Sequence, residues 1–335
     1  MSSKPRLWIS RPTFDEAVAP LDAYFDVHAE TVERRFDSDE IAQRLADCDA
    51  AMVGMKEHIG AREVAGAPRL RMIANFSVGH DNLDLAALTA AGIAASNTAG
   101  ALDDSVADFA WALMLAAARR LGEAERWVRA GQWRHPPQFL DWLGTDVFGG
   151  TLGILGMGRI GRAVARRAAG FRMPVIYHNR SRLPAGVERD CAARYVDKAE
   201  LLREADVLVV VVPLTEQTRH LIGADELAAT KPTAVLVNVA RGGVIDDAAL
   251  ARALADQRIA AAGLDVFEGE PALDPALLDL ENVVLTPHVA SSTRGTRRTM
   301  VATAVDNVLA FFGHGPHAGK PPNLLNPEVP SSPFL

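Results

Sequence analysis

Short apolar runs alternate with stretches of helical periodicity along most of this 335-residue chain. In the first third, four such runs predict strands at residues 7–10, 51–54, 70–76 and 93–96. Helices are predicted between them, for example at residues 39–45 and 83–90. Strands that alternate with helices are typical of parallel βαβ units. The pattern therefore predicts a small α/β unit with a core of its own.

A second series of apolar runs begins after residue 150. These runs are largely continuous, which is typical of strands that are covered by helices on both faces. They predict strands at residues 152–155, 175–178, 207–212, 234–239, 261–267 and 283–285. A final helix is predicted over residues 294–312, where it can carry the chain back to the first unit.

Between the two series, residues 107–119 predict a helix with apolar side chains over most of its surface. A helix of this kind is buried, either between domains or between subunits. Residues 131–150, with Trp133, Trp142 and several glycines, predict a connecting loop.

Length and composition predict a globular protein of two domains, with 49% hydrophobic and 23% charged residues. The net charge of −7 argues against a nucleic-acid or anionic-membrane surface. The apolar runs are too short to cross a bilayer, and the N-terminal residues show no signal-peptide pattern. Two distant cysteines, Cys48 and Cys191, indicate thiols in a reducing compartment. We therefore expect a soluble cytoplasmic protein without nucleic-acid or membrane partners.

A glycine motif follows the predicted strand at residues 152–155 and opens a predicted helix at 159–169. It consists of Gly156, Met157, Gly158, Arg159, Ile160 and Gly161. Glycines at this spacing allow a tight turn and bring backbone N–H groups and a helix N-terminus to a pyrophosphate. Because the motif stands between a strand and a helix, it predicts a dinucleotide site. The alternatives are a purely structural turn or a related ligand such as S-adenosylmethionine.

The end of the next predicted strand bears on the choice of cofactor. Asn179 stands where an acidic residue would bind the ribose 2′-hydroxyl of NAD. Arg180, Ser181 and Arg182 follow it, and their side chains can neutralise and hydrogen-bond a 2′-phosphate. The sequence therefore predicts NADP(H) in preference to NAD(H). The alternative is that both arginines are ordinary solvated residues.

Three chemically active residues follow the ends of three consecutive predicted strands. They are Arg241, Glu270 and His288. In doubly wound α/β folds, ligands bind beyond the carboxyl ends of the strands. Any one of these residues alone would more often be a surface ion-pair partner or a structural histidine. Together, in a chain that binds a dinucleotide, they indicate a catalytic site.

With these motifs in place, the chain resembles the D-isomer-specific 2-hydroxyacid dehydrogenase family. The likeness spans about residues 50–312 and rests on the segments 76–82, 156–161, 212–222, 238–243, 264–271 and 287–288. Within the family, residues 143–146 and 177–182 are most similar to bacterial glyoxylate/hydroxypyruvate reductases and 2-ketogluconate reductases.

The resemblance implies an α/β protein of two domains and a homodimer. A Rossmann doubly wound parallel-sheet domain, residues 101–289, would bind the dinucleotide. It would be inserted into a flavodoxin-like α/β substrate domain formed by residues 1–100 and 290–335.

The resemblance also implies roles for the site residues. Arg241 would bind the substrate carboxylate and polarise the keto oxygen, and His288 would exchange a proton with that oxygen. Glu270 would orient the imidazole, and Asp265 would bind the nicotinamide carboxamide. Val212, Pro213, Thr218, Val239 and Ala240 would complete the cofactor site, and Met55, Val78 and Gly79 would bind substrate alongside Arg241 and His288. The reaction would need no metal, because the cofactor carries the chemistry.

Two positions depart from the family pattern. Ala99 and Asp103 stand where the family usually has Pro and Thr. If that Thr lies near the nicotinamide, Asp103 alters the packing of the cofactor. Lys56, in the predicted substrate loop, is either a ligand of a polyhydroxy or carboxylate substrate or a solvated side chain.

Three hypotheses of function follow. The first is an NADPH-dependent reductase that converts glyoxylate, hydroxypyruvate or 2-ketogluconate to D-2-hydroxy acids. The second is an NAD-dependent member of the family with a phosphoglycerate- or lactate-type substrate. The third is a non-catalytic, nucleotide-sensing protein that is similar to the transcriptional corepressors of the same fold.

Overall fold

The computed structural model describes residues 4–330 and divides them into two compact units. The first unit comprises the described residues up to Leu102 together with those from Ser292 onward, and the second comprises Asp103–Ser291. Within this described part, no helix is both long and apolar enough to cross a membrane.

Twelve strands occur in the described residues. They are β1 (Arg6–Ile9), β2 (Asp26–Ala29), β3 (Ala50–Val53), β4 (Met72–Asn75), β5 (Ala94–Ser96), β6 (Leu152–Leu155), β7 (Val175–His178), β8 (Ala193–Tyr195), β9 (Val207–Val210), β10 (Val235–Asn238), β11 (Ala261–Leu264) and β12 (Val283–Leu285).

The α-helices of the described residues alternate with these strands. They are α1 (Asp15–Val18), α2 (Ser38–Leu45), α3 (Ala61–Val64), α4 (Leu85–Ala90), α5 (Asp103–Ala118), α6 (Leu121–Arg129), α7 (Arg159–Arg167), α8 (Ala185–Asp190), α9 (Lys198–Glu204), α10 (Ala224–Ala229), α11 (Asp247–Ala255), α12 (Pro275–Leu278) and α13 (Arg294–Phe311). Two short 3₁₀ segments lie at Ala19–Ala23 and Ala168–Phe171.

The first unit contains a five-stranded parallel sheet in the order β2-β1-β3-β4-β5. This is the flavodoxin-like order. Alternate side chains of β1 enter two cores. Leu7 and Ile9 pack in the core that contains Val308 of α13, and Trp8 packs on the opposite side with Leu45 of α2. Both faces of the sheet are therefore buried, which is why its central strands are continuous apolar runs.

The second unit contains a seven-stranded parallel sheet in the order β12-β11-β10-β9-β6-β7-β8. The strand order reverses between β6 and β9, and such a switch point is where a doubly wound sheet binds its ligand. The predicted α/β fold with two parallel sheets is confirmed.

Helix α5 is buried within its own unit, against α7, β10 and β11. The indole N–H of Trp111 donates to the carbonyl of Val164 at 3.1 Å, and its ring stacks on Phe171. These contacts bury one side of the helix within its own unit, while Phe109, Ala112, Leu115 and Ala116 are partly or fully exposed. The expectation that the helix is also buried between domains or between subunits stays a prediction.

Candidate active site

The glycine loop joins β6 to α7, at the switch point of the seven-stranded sheet. Gly156 has a φ of +107°, a conformation that side chains rarely adopt. A Cβ on Gly161 would overlap the carbonyl oxygen of Gly156, so glycine is needed for α7 to pack this close. A Cβ on Gly158 would meet no atom within 4 Å. The loop thus leaves open space next to a helix N-terminus, and this fits the pyrophosphate of a dinucleotide.

Asn179 connects the end of β7 to this loop. The backbone N–H of Met157 donates to Oδ1 of Asn179 at 2.6 Å. The hydroxyl of Tyr195 donates to the carbonyl of Asn179 at 3.3 Å. The position that usually carries an acid therefore carries a neutral side chain, one that is already engaged with the glycine loop.

The two arginines after Asn179 have different surroundings. Arg182 forms a bidentate ion pair with Glu188, at 2.9 Å from Nε to Oε1 and 2.8 Å from Nη2 to Oε2. Arg180 and Ser181 are exposed, and Arg180 makes no ion pair or side-chain hydrogen bond within residues 4–330. Arg180 is therefore the arginine of this loop that presents an uncompensated charge.

The other predicted cofactor residues lie after β9, β10 and β11. Thr218 closes the loop after β9, because its hydroxyl donates to the carbonyl of Pro213 at 2.6 Å and accepts from the N–H of Thr215 at 2.7 Å. Val212 lies in the same loop, and Val239 and Ala240 follow β10 directly. All of these positions are at the carboxyl edge of one sheet.

Asp265 follows β11 and is 1% exposed. Its carboxylate accepts from the backbone N–H groups of Val289 and Ala290, both at 2.8 Å, and from the hydroxyl of Thr286 at 2.7 Å. Within the described residues, the carboxylate of Asp265 therefore holds the chain on both sides of His288 in place. No pattern in the sequence indicates this anchoring role, because it depends on contacts between β11 and the segment that follows β12.

Arg241, Glu270 and His288 follow the neighbouring strands β10, β11 and β12. Nδ1 of His288 lies 2.6 Å from Oε1 of Glu270. Nη1 of Arg241 donates to the carbonyl of Ala240 at 2.8 Å. Burial raises the pKa of Glu270, but the hydrogen bond and charge of His288, the N–H of Phe267 and the charge of Arg241 lower it further. The net effect is a pKa below the usual value, so the carboxylate is ionised beside the imidazole.

The backbone at His288 is held in an unfavourable conformation. Its φ is +56°, which is uncommon for a residue other than glycine. The hydrogen bonds from Val289 and Ala290 to Asp265 hold the chain directly after it. Strained positions of this kind cluster at functional sites.

Gly242 brings the Arg241 loop against the loop that carries Glu270. A Cβ at this position would overlap the backbone of Phe267 and Glu268. No role was predicted for Gly242 from the sequence, and its place directly after Arg241 is the one sequence feature that could have indicated it.

The predicted substrate residues lie in the first unit, after β3 and β4. The carbonyl of Gly79 accepts from the side-chain amide of Asn75 at 3.1 Å, and that of Val78 accepts from the amide of Asn97 at 2.8 Å. The backbone N–H groups of Val78 and Gly79 donate no hydrogen bond within the described residues. Two unused donors on a loop with fixed carbonyls suit a carboxylate ligand.

Met55 lies in the other predicted substrate loop, directly after Gly54. Lys56 pairs with Glu33 at 3.0 Å, and both side chains are about half exposed. Burial raises the pKa of Glu33, but the hydrogen bond from Lys56 has a larger effect and lowers it below the usual value. This pairing favours the solvated interpretation of Lys56.

A buried ion pair that the sequence analysis did not identify lies under this loop. Oε2 of Glu57 accepts from Arg11, from the hydroxyl of Ser10 and from the N–H of Gly54, at 2.8, 2.8 and 2.7 Å. The side chain of Glu57 is 1% exposed and that of Arg11 is 20% exposed. The carboxylate therefore fixes the turn after β3 that carries Met55.

Asp103 is the first residue of α5. Its Oδ1 is buried and has no hydrogen-bond partner among the described residues. Burial raises the pKa of Asp103, and the charge of Arg159 opposes the rise. The departure from the family pattern thus places a carboxyl near the first residue of α7.

No group of three or more His, Cys, Asp or Glu residues that could hold a metal ion occurs within residues 4–330. Both cysteines are buried, and burial raises the pKa of the Cys48 thiol to about 11. A thiol with so high a pKa is a poor nucleophile at neutral pH.

Comparison with known proteins identifies the relatives of this chain. A family model described as "D-isomer specific 2-hydroxyacid dehydrogenase, NAD binding domain" matches residues 111–290. A glyoxylate reductase of Thermococcus gammatolerans is 43% identical over 332 residues, which cover 97% of each chain. A glyoxylate reductase of Aeropyrum pernix is 44% identical over 335 residues and 97% of each chain.

A solved structure from Sinorhizobium meliloti is similar over nearly the whole chain. It is described as an NADPH-dependent glyoxylate/hydroxypyruvate reductase in complex with NADP and malonate. The TM-score is 0.86 at 34% identity, with 99% of this chain and 100% of that chain covered.

Proposed function

This chain belongs to the D-isomer specific 2-hydroxyacid dehydrogenase family of oxidoreductases, and on that basis we propose that it reduces small 2-keto acids to D-2-hydroxy acids with NADPH. The contact between His288 and Glu270 carries the proposal. A carboxylate-bound imidazole is a suitable general acid for a keto oxygen that receives a hydride.

The catalytic residues would divide the work as follows. With Nδ1 of His288 donating to Glu270, the ring is fixed and Nε2 remains for the substrate. Nε2 makes no hydrogen bond to any residue in the described part of the chain. In the reductive direction Nε2 donates its proton to the keto oxygen, and in the oxidative direction it takes the proton back. Arg241 would bind the carboxylate and polarise the keto group through its planar fork of donors.

The cofactor would supply the hydride when bound. The glycine loop, the residues after β9 and β10, and Asp265 are the groups that would hold it. The proposed preference for NADPH is supported by the neutral Asn179, by the exposed Arg180 and by the NADP in the Sinorhizobium meliloti relative. NAD(H) is the alternative cofactor.

Glyoxylate and hydroxypyruvate are the proposed substrates, in keeping with the names of the relatives. The unused N–H groups of Val78 and Gly79 would bind the carboxylate, and Met55 would contact the remainder of the molecule. 2-Ketogluconate is a further candidate.

One spectrophotometric experiment tests the proposal. The full-length protein is incubated with NADPH or NADH and a panel of glyoxylate, hydroxypyruvate, 2-ketogluconate, pyruvate and phosphohydroxypyruvate. We expect the highest kcat/KM for glyoxylate or hydroxypyruvate with NADPH. A higher kcat/KM with NADH would overturn the cofactor preference. Absence of oxidation with every acid would overturn the reductase proposal and favour the non-catalytic, nucleotide-sensing alternative.

We also propose a homodimer. Its support is a group of large apolar side chains that are exposed on α6 and the segment after it, namely Leu121, Val128, Trp133, Phe139, Leu140, Leu143 and Phe148. We call this group the α6 patch. Large exposed apolar patches on globular proteins mark interaction sites, and a second copy of the chain is the proposed occupant.

A further inference from the structure

Arg182 lies two residues after Arg180 in the cofactor-selecting loop, but its charge is already compensated. Both of its hydrogen bonds to Glu188 are shorter than 3 Å, and the geometry is bidentate. This is the strongest arrangement of an arginine with a carboxylate. The Glu188 side chain is 10% exposed, whereas that of Arg182 is 65% exposed. The carboxylate is thus the buried member of the pair.

Glu188 is fixed from the core side as well. The hydroxyl of Tyr177 donates to its Oε1 at 2.7 Å and accepts from the N–H of Leu183 at 2.9 Å. Tyr177 lies in β7 and is fully buried. The hydrogen bond from Arg182 holds the pKa of Glu188 below its usual range, so the pair is ionised at neutral pH. Separating it would leave a charge in a poorly solvated position, which is unfavourable.

The loop therefore presents one net positive charge rather than two. Arg180 is exposed and has no partner within residues 4–330. The Arg182–Glu188 pair carries no net charge, and its carboxylate would repel an approaching phosphate. A 2′-phosphate would be attracted by Arg180 and hardly at all by the pair.

We infer that Glu188 withholds Arg182 from the cofactor, so that Arg180 alone selects the 2′-phosphate of NADP(H). The inference rests on the proposed preference for NADPH. It holds that one residue, Glu188, limits how strong that preference is. Glu188 is thereby a specificity-determining residue, although it is not expected to contact the cofactor. A neutral side chain of the same shape in place of Glu188 would leave the positive charge of Arg182 uncompensated. The selection of NADP(H) over NAD(H) would then be stronger.

The test is binding of two small probes that differ only in the 2′-phosphate. Adenosine 2′,5′-bisphosphate and adenosine 5′-monophosphate are titrated calorimetrically into the full-length protein at one fixed ionic strength. Glu188→Gln should bind the bisphosphate about three- to tenfold more tightly than the wild type, since one carboxylate charge is removed nearby. Its affinity for the monophosphate should not change. An unchanged bisphosphate affinity overturns the inference.

A double variant separates compensation from direct contact. Arg182→Gln with Glu188→Gln replaces a neutral pair by another neutral pair, so the bisphosphate affinity should stay within about twofold of the wild type. Arg180→Gln should weaken it by about tenfold or more, the loss expected for a charge-assisted hydrogen bond. If the double variant loses as much as Arg180→Gln, Arg182 binds the phosphate directly and the inference is wrong.

Two further variants complete the design. Glu200→Gln removes one of the two carboxylate partners of Arg194, and it should leave both affinities unchanged. Arg182→Gln changes an exposed side chain, so this variant should fold even if the Glu188 variants do not. It should weaken bisphosphate binding by about three- to tenfold, because the carboxylate charge of Glu188 is then uncompensated. Failure of the double variant to recover the affinity that Arg182→Gln loses contradicts the inference.

Binding of the two probes to the wild-type protein tests the proposed NADPH preference separately from the inference about Glu188. If it binds both probes equally, the proposed NADPH preference fails. If it prefers the bisphosphate and depends on Arg180, but Glu188→Gln changes nothing, the preference stands and only the inference about Glu188 fails.

Discussion

Nδ1 of His288 lies 2.6 Å from Oε1 of Glu270, and the two side chains come from segments that follow neighbouring strands of one sheet. The second unit contains another histidine–carboxylate pair, in which Nε2 of His220 lies 2.8 Å from Oε2 of Glu268. Glu268 is shared with Arg219, and the hydrogen bond from His220 lowers the pKa of its carboxyl. The chain thus offers a matched pair in which one histidine is proposed to be catalytic and the other is not.

Replacement of His288 should remove the proton donor. We expect His288→Gln to lower kcat by about 10²- to 10⁴-fold, the usual contribution of a general acid. The Kd for NADPH, measured by fluorescence titration, should change less than twofold. His220→Gln is the control and should retain kcat within about threefold, because the loss of an exposed ion pair has a small effect. Near wild-type activity of His288→Gln would show that another group donates the proton.

Glu270→Gln should change the pH profile of the reaction. The pKa of Glu270 is lowered, so its carboxylate is charged at every pH well above the ordinary value of 4.5. Its interaction with His288 is therefore present through the neutral range and is lost only as the pH falls through the lowered pKa.

The amide has no charge with which to stabilise an imidazolium. In Glu270→Gln, the alkaline decline of kcat/KM for reduction should therefore move to lower pH. Initial rates from pH 5 to 10 measure the shift, and Glu268→Gln is the control with an unmoved profile. An alkaline decline at the wild-type pH in Glu270→Gln would mean that its carboxylate does not act on the proton donor.

Gly158→Ala should separate cofactor binding from folding. The added methyl group meets no protein atom within 4 Å, and the backbone φ of −77° suits alanine, so the melting temperature should not change. The same methyl group enters the space assigned to the pyrophosphate, so the Kd for NADPH should rise by about tenfold or more. Gly170→Ala also meets no atom within 4 Å and should change neither quantity. Unaltered NADPH affinity in Gly158→Ala would place the pyrophosphate elsewhere.

Arg11→Met should destabilise the first unit. The variant leaves the Glu57 carboxylate buried with only the Ser10 hydroxyl and the Gly54 N–H as donors. Removing one partner of a buried pair typically costs about 3–5 kcal/mol, and the partial exposure of Arg11 points to the lower end. Urea denaturation measures the loss.

Two further variants test the cause of that loss. Arg62→Met disrupts an exposed pair with Asp39 and should lower the free energy of unfolding by less than about 1 kcal/mol. Arg11→Met combined with Glu57→Gln should recover part of the stability, because no buried charge then lacks its partner. A double variant less stable than Arg11→Met would rule out the buried charge as the cause.

Charged residues in the α6 patch should dissociate the proposed dimer. Phe139 is 96% exposed and Leu140 is 73% exposed, so replacing both with Glu removes little packing within the chain. Light scattering after size-exclusion chromatography should give about twice the chain mass for the wild type and the chain mass for the variant. Leu278→Glu, at an exposed apolar side chain on α12, is the control and should keep the wild-type mass. A monomeric wild type would contradict the proposal directly.

The strands with apolar runs could be predicted closely from the sequence, whereas two strands without such runs could not. The predicted bounds of β6, β7 and β12 agree with the structure. Strands β2 and β8 were not predicted, and each lies at one edge of its sheet. Most of β2 is exposed, so its residues carry no apolar run by which a strand can be recognised.

The family resemblance drawn from the motifs is confirmed. It could be predicted because each motif is a local sequence beside a strand end. The roles of the individual residues stay predictions. The partners of the charged side chains could not be predicted from the sequence. Glu188 follows Arg182 by six residues, and Glu57 follows Arg11 by forty-six. No spacing rule indicates either partner, since each depends on how a helix or turn packs against a strand.

The sequence by itself determined the order of the apolar strands and of the helices between them, the glycine loop and the three residues at consecutive strand ends. Hydrophobic periodicity and turn chemistry act over a few residues, so a linear pattern records them. Only the tertiary structure decided which charges are compensated, that Asp265 anchors the segment around His288, and that one side of α5 is buried within its own unit. The physical reason is that electrostatic and packing energies depend on distances in space, and folding sets those distances independently of separation along the chain.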